Sequence, residues 1–265
     1  MKPKLKEATL GAAKVIGAIA FWILIWVLIA KKVGLELIFP SPSAVFRALK
    51  ELVAQPRFWT VTAASLLRVA YGIFFSIIIG CVLAYLISAS KILNSLLSPM
   101  LSVIKATPIA AFIVIVWLWI HTSLLPIFIT ALIVIPIITS NVSQGITSVD
   151  KELKEVTKLY RFSIPKKLFR LYIPSVAPYF LAACKSALGM AWKASVSAEL
   201  IVASKNSIGY EMFKEKQNFE TASVFAWTLV VIVLSILLEK LTLLLLNFVG
   251  RSFKLIKKGG DHAEN

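Results

Sequence analysis

The feature that most constrains this chain is an uncharged run of 44 residues, 106–149, between Lys105 and Asp150. A membrane-spanning helix needs about 20 predominantly apolar residues. The run therefore has room for two spans, and the polar triplet at 121–123 near its middle suits a tight turn between them. Two adjacent spans of this kind indicate a membrane protein.

Composition supports the same conclusion for the whole chain. Hydrophobic residues make up 58% and charged residues 16%, with a mean hydropathy of +0.84, whereas a soluble domain is about 45–50% apolar and about 25% charged. This balance argues against a soluble enzyme, a disordered tail and a disulfide scaffold. We predict an all-α, polytopic membrane protein in which residues 1–265 form one transmembrane domain with six helices. The predicted spans are approximately 12–30, 62–90, 99–120, 123–140, 174–203 and 221–249.

The placement of basic residues predicts the orientation, because cytoplasmic loops of membrane proteins are enriched in Lys and Arg. With a cytoplasmic N-terminus, 16 of the 29 basic residues fall on the inner side and eight on the outer side. We therefore expect both termini to be cytoplasmic. The net charge of +16 then follows from topology, and nucleic acid is not an expected partner.

Few residues are available for metal or covalent chemistry. Cys81 and Cys184 lie in apolar runs, and His121 and His262 are the only histidines. We therefore expect no disulfide, no metal site and no catalytic residues. The sequence also lacks the Gly-x-x-x-x-Gly-Lys-Ser/Thr phosphate loop, so any ATP-derived energy must come from a partner and we expect no cofactor in this chain.

The predicted cytoplasmic loop 141–173 is strongly basic and has the pattern of short amphipathic helices. Apolar residues recur there at helical spacing at Val149, Leu153, Val156 and Tyr160. Ser148 and Asp150 can cap the first helix, and a second can begin after Ser163. The apolar stripe must be buried, either against lipid headgroups or against another protein. The residues alone do not decide between these two.

The same loop resembles the signature of permease subunits of bacterial ABC importers. That signature is Glu-Ala-Ala, three residues, Gly, then roughly nine residues and Ile-x-Leu-Pro. Here the matching residues are Glu155-Val156-Thr157, Arg161 and Leu171-Tyr172-Ile173-Pro174. The glutamate, the hydrophobic pair and the proline fit, whereas Val156 and Thr157 replace small residues and Arg161 replaces glycine.

Three further stretches resemble the nitrate/sulfonate/taurine-type branch of this family. Phe39 to Val45 is similar to the element after the first span, Ala191 to Glu199 to the fifth span, and Ser207 to Tyr210 to the glycine-containing turn that follows it. The order, the spacing and the number of spans also agree. The resemblance covers nearly the whole chain.

The resemblance implies the type I ABC importer permease fold in the bacterial cytoplasmic (inner) membrane, surrounded by lipid. It implies a second permease copy, in a homodimer rather than a heterodimer, ATPase subunits that bind ATP and Mg, and an extracytoplasmic solute-binding protein. It also implies that the loop forms a coupling helix that docks on the ATPase. The implied coupling residues are Glu155, Val156, Thr157, Tyr160, Arg161 and Pro174.

Arg161 is the main departure from this signature. A glycine can adopt a left-handed backbone at little cost, whereas an arginine cannot. Either the turn is made differently here, or the ATPase surface has adapted, or the chain pairs with a different permease chain. Glu155 has two interpretations as well, because it can pair with Lys151 or Lys158 on its own helix or reach the ATPase.

Charged residues inside spans often mark transport pathways. The pathway candidates are Arg68, Lys185, Trp192, Lys193 and Glu199. For each cation the alternative is neutralisation of a carboxylate or snorkelling to the interface, and for Arg68 we favour a pair with Glu199. For Trp192 the alternative to gating is packing.

Small residues repeat every four positions in the predicted fifth span, at Ala183, Ala187, Ala191 and Ser195. This spacing lets helices approach closely, and we favour packing within the bundle over a lining for the pathway. Together these features predict a permease for a small anionic solute such as a sulfonate, taurine or nitrate. The alternatives are a vitamin or thiamine-precursor-like solute in the same family or, less favoured, a membrane enzyme or a passive channel.

Overall fold

The computed structural model of the chain describes the backbone of residues 2–252 and the side chains of residues 16–244. The described backbone contains no strand, which confirms the predicted all-α fold. The basic clusters within 2–14 and 251–258, on which the predicted orientation partly depends, lie outside the described side chains. The helices are α1 (Lys2–Val33), α2 (Pro42–Ala54), α3 (Pro56–Ala89), α4 (Lys91–Ala106), α5 (Ile109–Val116), α6 (Leu125–Thr147), α7 (Lys151–Leu159), α8 (Ile164–Lys167), α9 (Ile173–Ile201), α10 (Ile208–Gln217) and α11 (Thr221–Ser252), with a π-helical turn at Leu168–Tyr172 between α8 and α9.

Four of the described helices are long and apolar enough to cross a membrane, namely α1, α3, α6 and α11. The number becomes five if α4 and α5 are counted as one bent span. The predicted fifth span corresponds to α9, which has 29 residues but also carries Lys185, Lys193 and Glu199. Among the described helices, length and composition alone therefore identify four or five of the six predicted spans.

The predicted third span, 99–120, is not one continuous helix. It is divided between α4 and α5, whose axes are bent by 103°. The break falls at Thr107-Pro108, where both residues have extended backbone. Proline cannot donate a backbone hydrogen bond and disfavours helical backbone in the residue before it, so α4 ends at Ala106.

Helix α6 lies between α3 and α9 and contacts both over most of its length. Small residues on α3 permit this approach on one side, at Gly72, Ser76, Gly80 and Ala84, all of them buried. A Cβ at Gly72 would lie 2.7 Å from Thr130 Cγ2, and one at Gly80 would lie 2.8 Å from Ile138 Cβ. Glycine is thus required sterically at both positions. The sequence analysis had not singled out this second small-residue stripe.

The contacts also fix the relative directions of these helices. Gly72 and Gly80 of α3 lie beside Thr130 and Ile138 of α6, so α3 and α6 run parallel and the α4–α5 segment returns the chain between them. By contrast, Gly145 near the end of α6 contacts Tyr179 near the start of α9. Helices α6 and α9 therefore run antiparallel.

Two helices that the sequence analysis did not predict, α2 and α10, lie at one end of the bundle. Ser41 caps α2 and is followed by Pro42 in the first turn, and Ser207 caps α10 through the Tyr210 amide. Their apolar residues Val45, Leu52 and Ile208 join the core formed with α3, α9 and α11. We call this the α2/α10 end of the bundle.

At the opposite end, the predicted coupling loop 141–173 begins later than expected. Helix α6 continues to Thr147, so residues 141–147 of the predicted loop are helical. The remaining segment forms α7, α8 and the π-helical turn before α9 begins at Ile173. We call this the α7/α8 end.

Candidate functional site

Helix α9 has two faces of different character. Ala183, Ala187, Ala191 and Ser195 are at most 2% exposed, and the three alanines pack in one cluster with Val134 and Ile138 of α6. In this structure the small-residue stripe is buried within the bundle. The stripe is covered by the chain itself and does not line an open surface.

The other face of α9 is uncovered and carries polar side chains beside Ala182 and Met190. Its exposed residues include Lys185, Ser186, Lys193 and Ser197, which recur at helical spacing along the middle and the α2/α10 half of the helix. Neither lysine lies within 4.0 Å of a carboxylate among the described residues. Within the described residues, neither Lys185 nor Lys193 is therefore neutralised by a carboxylate, which was one of the predicted alternatives to a pathway role.

Arg68 and Glu199 form the ion pair that the sequence favoured. The Nη1 atom of Arg68 lies 3.3 Å from Oε1 of Glu199, whose side chain is fully buried. Glu199 Oε2 accepts a hydrogen bond from Ser65 Oγ at 2.8 Å and another from the Gly209 amide at 3.3 Å. The carboxylate is thus held by three donors from α3 and α10, and it faces no open surface.

Arg68 also binds the turn between α9 and α10. Its guanidinium donates to the carbonyl oxygens of Lys205 and Asn206, each at 3.1 Å. Ala203 and Asn206 in this turn have φ values of 49° and 56°, and such left-handed backbone is costly for residues with a Cβ. We name Ser65, Arg68, Glu199 and Gly209 the carboxylate junction, because they fasten this turn to α3.

Trp192 is a packing residue in this structure. Its side chain is 0% exposed, and its indole N–H donates to the Val231 carbonyl oxygen at 3.0 Å. It belongs to the core that joins α9 to α2, α3 and α11. Its burial agrees with the packing interpretation rather than with gating of an open pathway.

A cleft of about 560 Å³ opens at the α2/α10 end. Four of its lining residues are acidic, namely Glu51, Glu211, Glu215 and Glu220. Arg57 Nε pairs with Glu211 at 2.9 Å. Burial raises the pKa of the Glu215 carboxyl; Lys214 opposes this effect, and the nearby carboxylates add to it. This acidic feature was not predicted from the sequence, since its residues come from separate segments.

No group of three or more potential metal ligands occurs among the described residues.

At the α7/α8 end, α7 exposes the residues that resemble the coupling signature. The Asp150 side chain caps the helix by accepting from the Glu152 amide at 2.9 Å. Thr157 is buried, whereas Glu155 points outward and has no ion pair among the described residues. Large apolar side chains are exposed along this end, including Val156, Leu159, Tyr160, Ile164 and Phe169. An apolar surface of this kind in a polar setting is typical of a protein-docking site.

Arg161 adopts the left-handed backbone that a glycine would favour, with a φ of 48°. The Arg161 amide donates to the Lys158 carbonyl, and the Phe162 amide donates to the Thr157 carbonyl, both at 3.0 Å. This pair of bonds defines a Schellman motif, the usual way of ending a helix with a left-handed residue. A differently made turn, one of the three alternatives for Arg161, is therefore not what the structure shows.

We expect Arg161→Gly to stabilise the chain by about 1 kcal/mol, because it removes the left-handed strain of a residue with a Cβ. The unfolding midpoint of the purified chain in detergent measures this gain. Arg161→Ala is the matched control, since alanine keeps the Cβ. An equal gain from alanine would contradict the explanation, because it would trace the effect to the arginine side chain.

Pro174, the last residue of the predicted signature, lies in the first turn of α9 directly after the π-helical turn. There the Ile173 amide donates to the Leu168 carbonyl, five residues earlier. Proline has no amide hydrogen to continue the α-helical pattern, which is consistent with a local change of helix type before it. The predicted coupling residues therefore occupy the segment 155–174 at the α7/α8 end.

The sequence profile described as "binding-protein-dependent transport system inner membrane component" matches residues 72–252. The bicarbonate transport system permease protein CmpB of Synechococcus elongatus is 24% identical over 95% of this chain and 92% of its own length. The putative aliphatic sulfonates transport permease protein SsuC of Bacillus subtilis is 27% identical over 78% of this chain and 75% of its own.

The fold is also shared with a solved structure. A crystal structure of a bacterial ABC transporter involved in the import of the acidic polysaccharide alginate contains a chain that matches with a TM-score of 0.60. The match covers 96% of this chain and 98% of that one, at 16% identity. The binding-protein-dependent transport system inner membrane components are the multi-pass permease subunits of ABC importers. They are not enzymes themselves and work with a separate ATPase and a solute-binding protein. Since the sequence profile covers about two thirds of the chain, this protein belongs to that family.

Proposed function

We propose that this permease carries a small anionic solute and that the uncovered face of α9 lines its pathway. The observation that carries the proposal is the pair of exposed lysines, Lys185 and Lys193, without a carboxylate partner among the described residues. An uncompensated cation at membrane depth is costly unless water or an anion solvates it. Bicarbonate and sulfonates, named for the relatives, are both anions.

A homodimer with six spans per chain fits this arrangement. Helix α9 pairs with α6 from Tyr179, beside Gly145, towards Ala198 in the cluster that contains Leu125. It therefore runs beside an apolar span for nearly the whole length of that span, and we count it as a crossing helix. A second copy would cover the polar face of α9 and provide a water-filled path between the two chains.

The orientation we propose places the α7/α8 end and both termini in the cytoplasm. The basic residues of α7 and α8 support this orientation, as does the apolar surface that these helices expose. In this arrangement the ATPase docks on the segment 155–174 and binds ATP and Mg. The solute-binding protein approaches the α2/α10 end.

The proposed pathway predicts that charge, rather than size, matters at the two lysines. We expect Lys185→Gln and Lys193→Gln each to raise the solute concentration for half-maximal uptake about tenfold, because each removes a charge-assisted hydrogen bond. Lys185→Arg and Lys193→Arg keep the charge and should stay within a few-fold of the parent. The measurement is ATP-driven uptake into proteoliposomes that contain the assembled transporter.

The solute can be identified by screening the solute-binding protein with bicarbonate, nitrate, taurine, ethanesulfonate and a thiamine precursor. The ATPase activity of the assembled transporter is then measured with each solute and the binding protein. Stimulation by the anions alone supports the proposal. Stimulation by a neutral or cationic solute alone would overturn the anion assignment and favour the vitamin-like alternative. Flux without ATP would favour a passive channel.

A further inference from the structure

We infer that Lys105 is a third pathway cation that forms, with Lys185, an anion-binding level near the α7/α8 half of the membrane. This inference rests on the proposed function and adds a specificity-determining residue to it. Lys105 is the last charge before the uncharged run, and it lies in the final turn of α4, just before the bend at Thr107-Pro108. Its position alone does not distinguish it from any other cation at the end of a span.

The ammonium group of Lys105 is held in a defined position. Its Nζ donates to Ser140 Oγ on α6 at 2.9 Å. The Ser140 hydroxyl donates in turn to the Pro136 carbonyl oxygen at 2.8 Å, so its oxygen is left to accept from the lysine. An ammonium group has three donors, and Lys105 is exposed. Two donors therefore remain to bind an anion or water.

Lys105 has no carboxylate within 4.0 Å among the described residues, whose two ion pairs are Arg57–Glu211 and Arg68–Glu199. Arg68 differs from Lys105, because its guanidinium pairs with the buried Glu199 carboxylate and donates hydrogen bonds to two carbonyl oxygens. Among the described side chains, the ammonium of Lys105 has one hydrogen-bond partner, the Ser140 hydroxyl oxygen. It therefore remains electrostatically available to a solute.

The register between α6 and α9 places Lys105 at the depth of Lys185. Gly145 lies opposite Tyr179, and antiparallel helices with the same rise per residue keep step. Five residues back along α6 is Ser140, and five residues forward along α9 is Cys184, the neighbour of Lys185. Sixteen residues along both helices from Gly145 and Tyr179, the register pairs Ile129 with Ser195, and Ile129 lies in one buried cluster with the neighbouring Ala194.

Lys193 is eight residues beyond Lys185, which corresponds to roughly 12 Å along the helix at 1.5 Å per residue. The exposed cations thus form two levels, with Lys193 towards the α2/α10 end and the pair of Lys105 and Lys185 deeper. An anion released at the α2/α10 end would meet a single charge first and two charges afterwards. Because the charges at both levels are positive, both levels favour the passage of anions over that of cations.

The test measures the electrostatic potential beside Lys105, so the natural solute need not be known. The two native cysteines are first removed from the full chain by Cys81→Ala and Cys184→Ala. A reporter cysteine is then introduced by Gln144→Cys, one turn from Ser140 on the exposed side of α6, and the chain is studied within the assembled transporter. Its labelling rate is measured with the anionic sulfonatoethyl and the cationic trimethylammonioethyl methanethiosulfonates. The ratio of the two rates reports the charge beside the reporter.

We expect Lys105→Gln to lower the anion-to-cation rate ratio about tenfold, because a unit charge about 6 Å away in water acts in opposite directions on the two reagents. Lys105→Arg should preserve the ratio. Ser140→Ala should lower it by a smaller factor, because the ammonium is then no longer held. An unchanged ratio in Lys105→Gln, or no reaction at the reporter with either reagent, would overturn the inference.

A second reporter separates this inference from the proposed function. Ser197→Cys lies on the exposed face of α9, several turns from the level of Lys185. Beyond a Debye length of about 10 Å the charge at Lys105 is screened, so Lys105→Gln should leave the ratio there unchanged. Reaction at Ser197→Cys with none at Gln144→Cys would reject only the role of Lys105. No reaction at Ser197→Cys would reject the proposed pathway itself.

Discussion

Replacing Gly209 with alanine is expected to lower the free energy of unfolding by about 3 kcal/mol or more, because the new methyl group has no space. A Cβ at this position would lie 2.5 Å from the Glu199 Cβ and 2.6 Å from the Glu199 carbonyl carbon, with the Leu200 nitrogen nearer still. Two of these three atoms belong to the backbone of α9. Neither can move away as the end of a flexible side chain could.

The effect should extend beyond one clash, because Gly209 is part of the carboxylate junction. Its amide donates to Glu199 Oε2, and displacement of α10 would leave a buried carboxylate with one fewer donor. Buried charges that lose a hydrogen-bond partner are among the most destabilising changes in proteins. The left-handed residues Ala203 and Asn206 would also lose part of the scaffold that holds them.

The measurement is the unfolding midpoint of the chain in detergent, together with its yield from the membrane. Gly189→Ala is the matched control, since a Cβ there meets no atom within 4 Å. Alanine is favoured over glycine by about 1 kcal/mol inside a helix, so the control should be neutral or slightly stabilised. A neutral Gly209→Ala would show that α10 does not pack on α9 as described.

The carboxylate junction also shows what a sequence can reveal about such a site. Arg68 and Glu199 were predicted to pair because opposite charges at similar depth in a membrane have few other partners. Ser65 could not be added, since a single serine in an apolar helix gives no such information. Its role depends on the packing of α3 against α9 and α10, which only the folded chain defines.

The bundle illustrates the same limit for apolar segments. The small-residue stripe of α9 was recognisable from its four-residue spacing, and its three alanines lie in a buried cluster with α6. The predicted third span contains Pro108, but the 103° bend between α4 and α5 was not predicted, because it depends on how these helices pack in the folded chain. Helix α2 was not predicted, although proline is well tolerated in a first helical turn, which is where Pro42 lies.

Reversal of the charge at Glu155 has the second large expected effect. We expect Glu155→Lys to reduce ATP-driven transport and the stimulation of the ATPase by about 30-fold or more, because loss of one partner in an interfacial charge pair costs about 2–5 kcal/mol. In the described structure Glu155 is exposed and unpaired, although Lys151 and Lys158 lie on the same helix. Its carboxylate is therefore available to a partner protein.

The fold should tolerate this change, which separates a coupling role from a structural one. Glu155 is on the side of α7 away from the buried Thr157, so Glu155→Lys should leave membrane insertion and the unfolding midpoint unchanged. Glu155→Gln should have a smaller effect, because it removes the charge without adding a cation to a basic surface. If Glu155→Lys coupled normally, α7 would not dock through this residue, and the exposed apolar side chains would have to carry the contact alone.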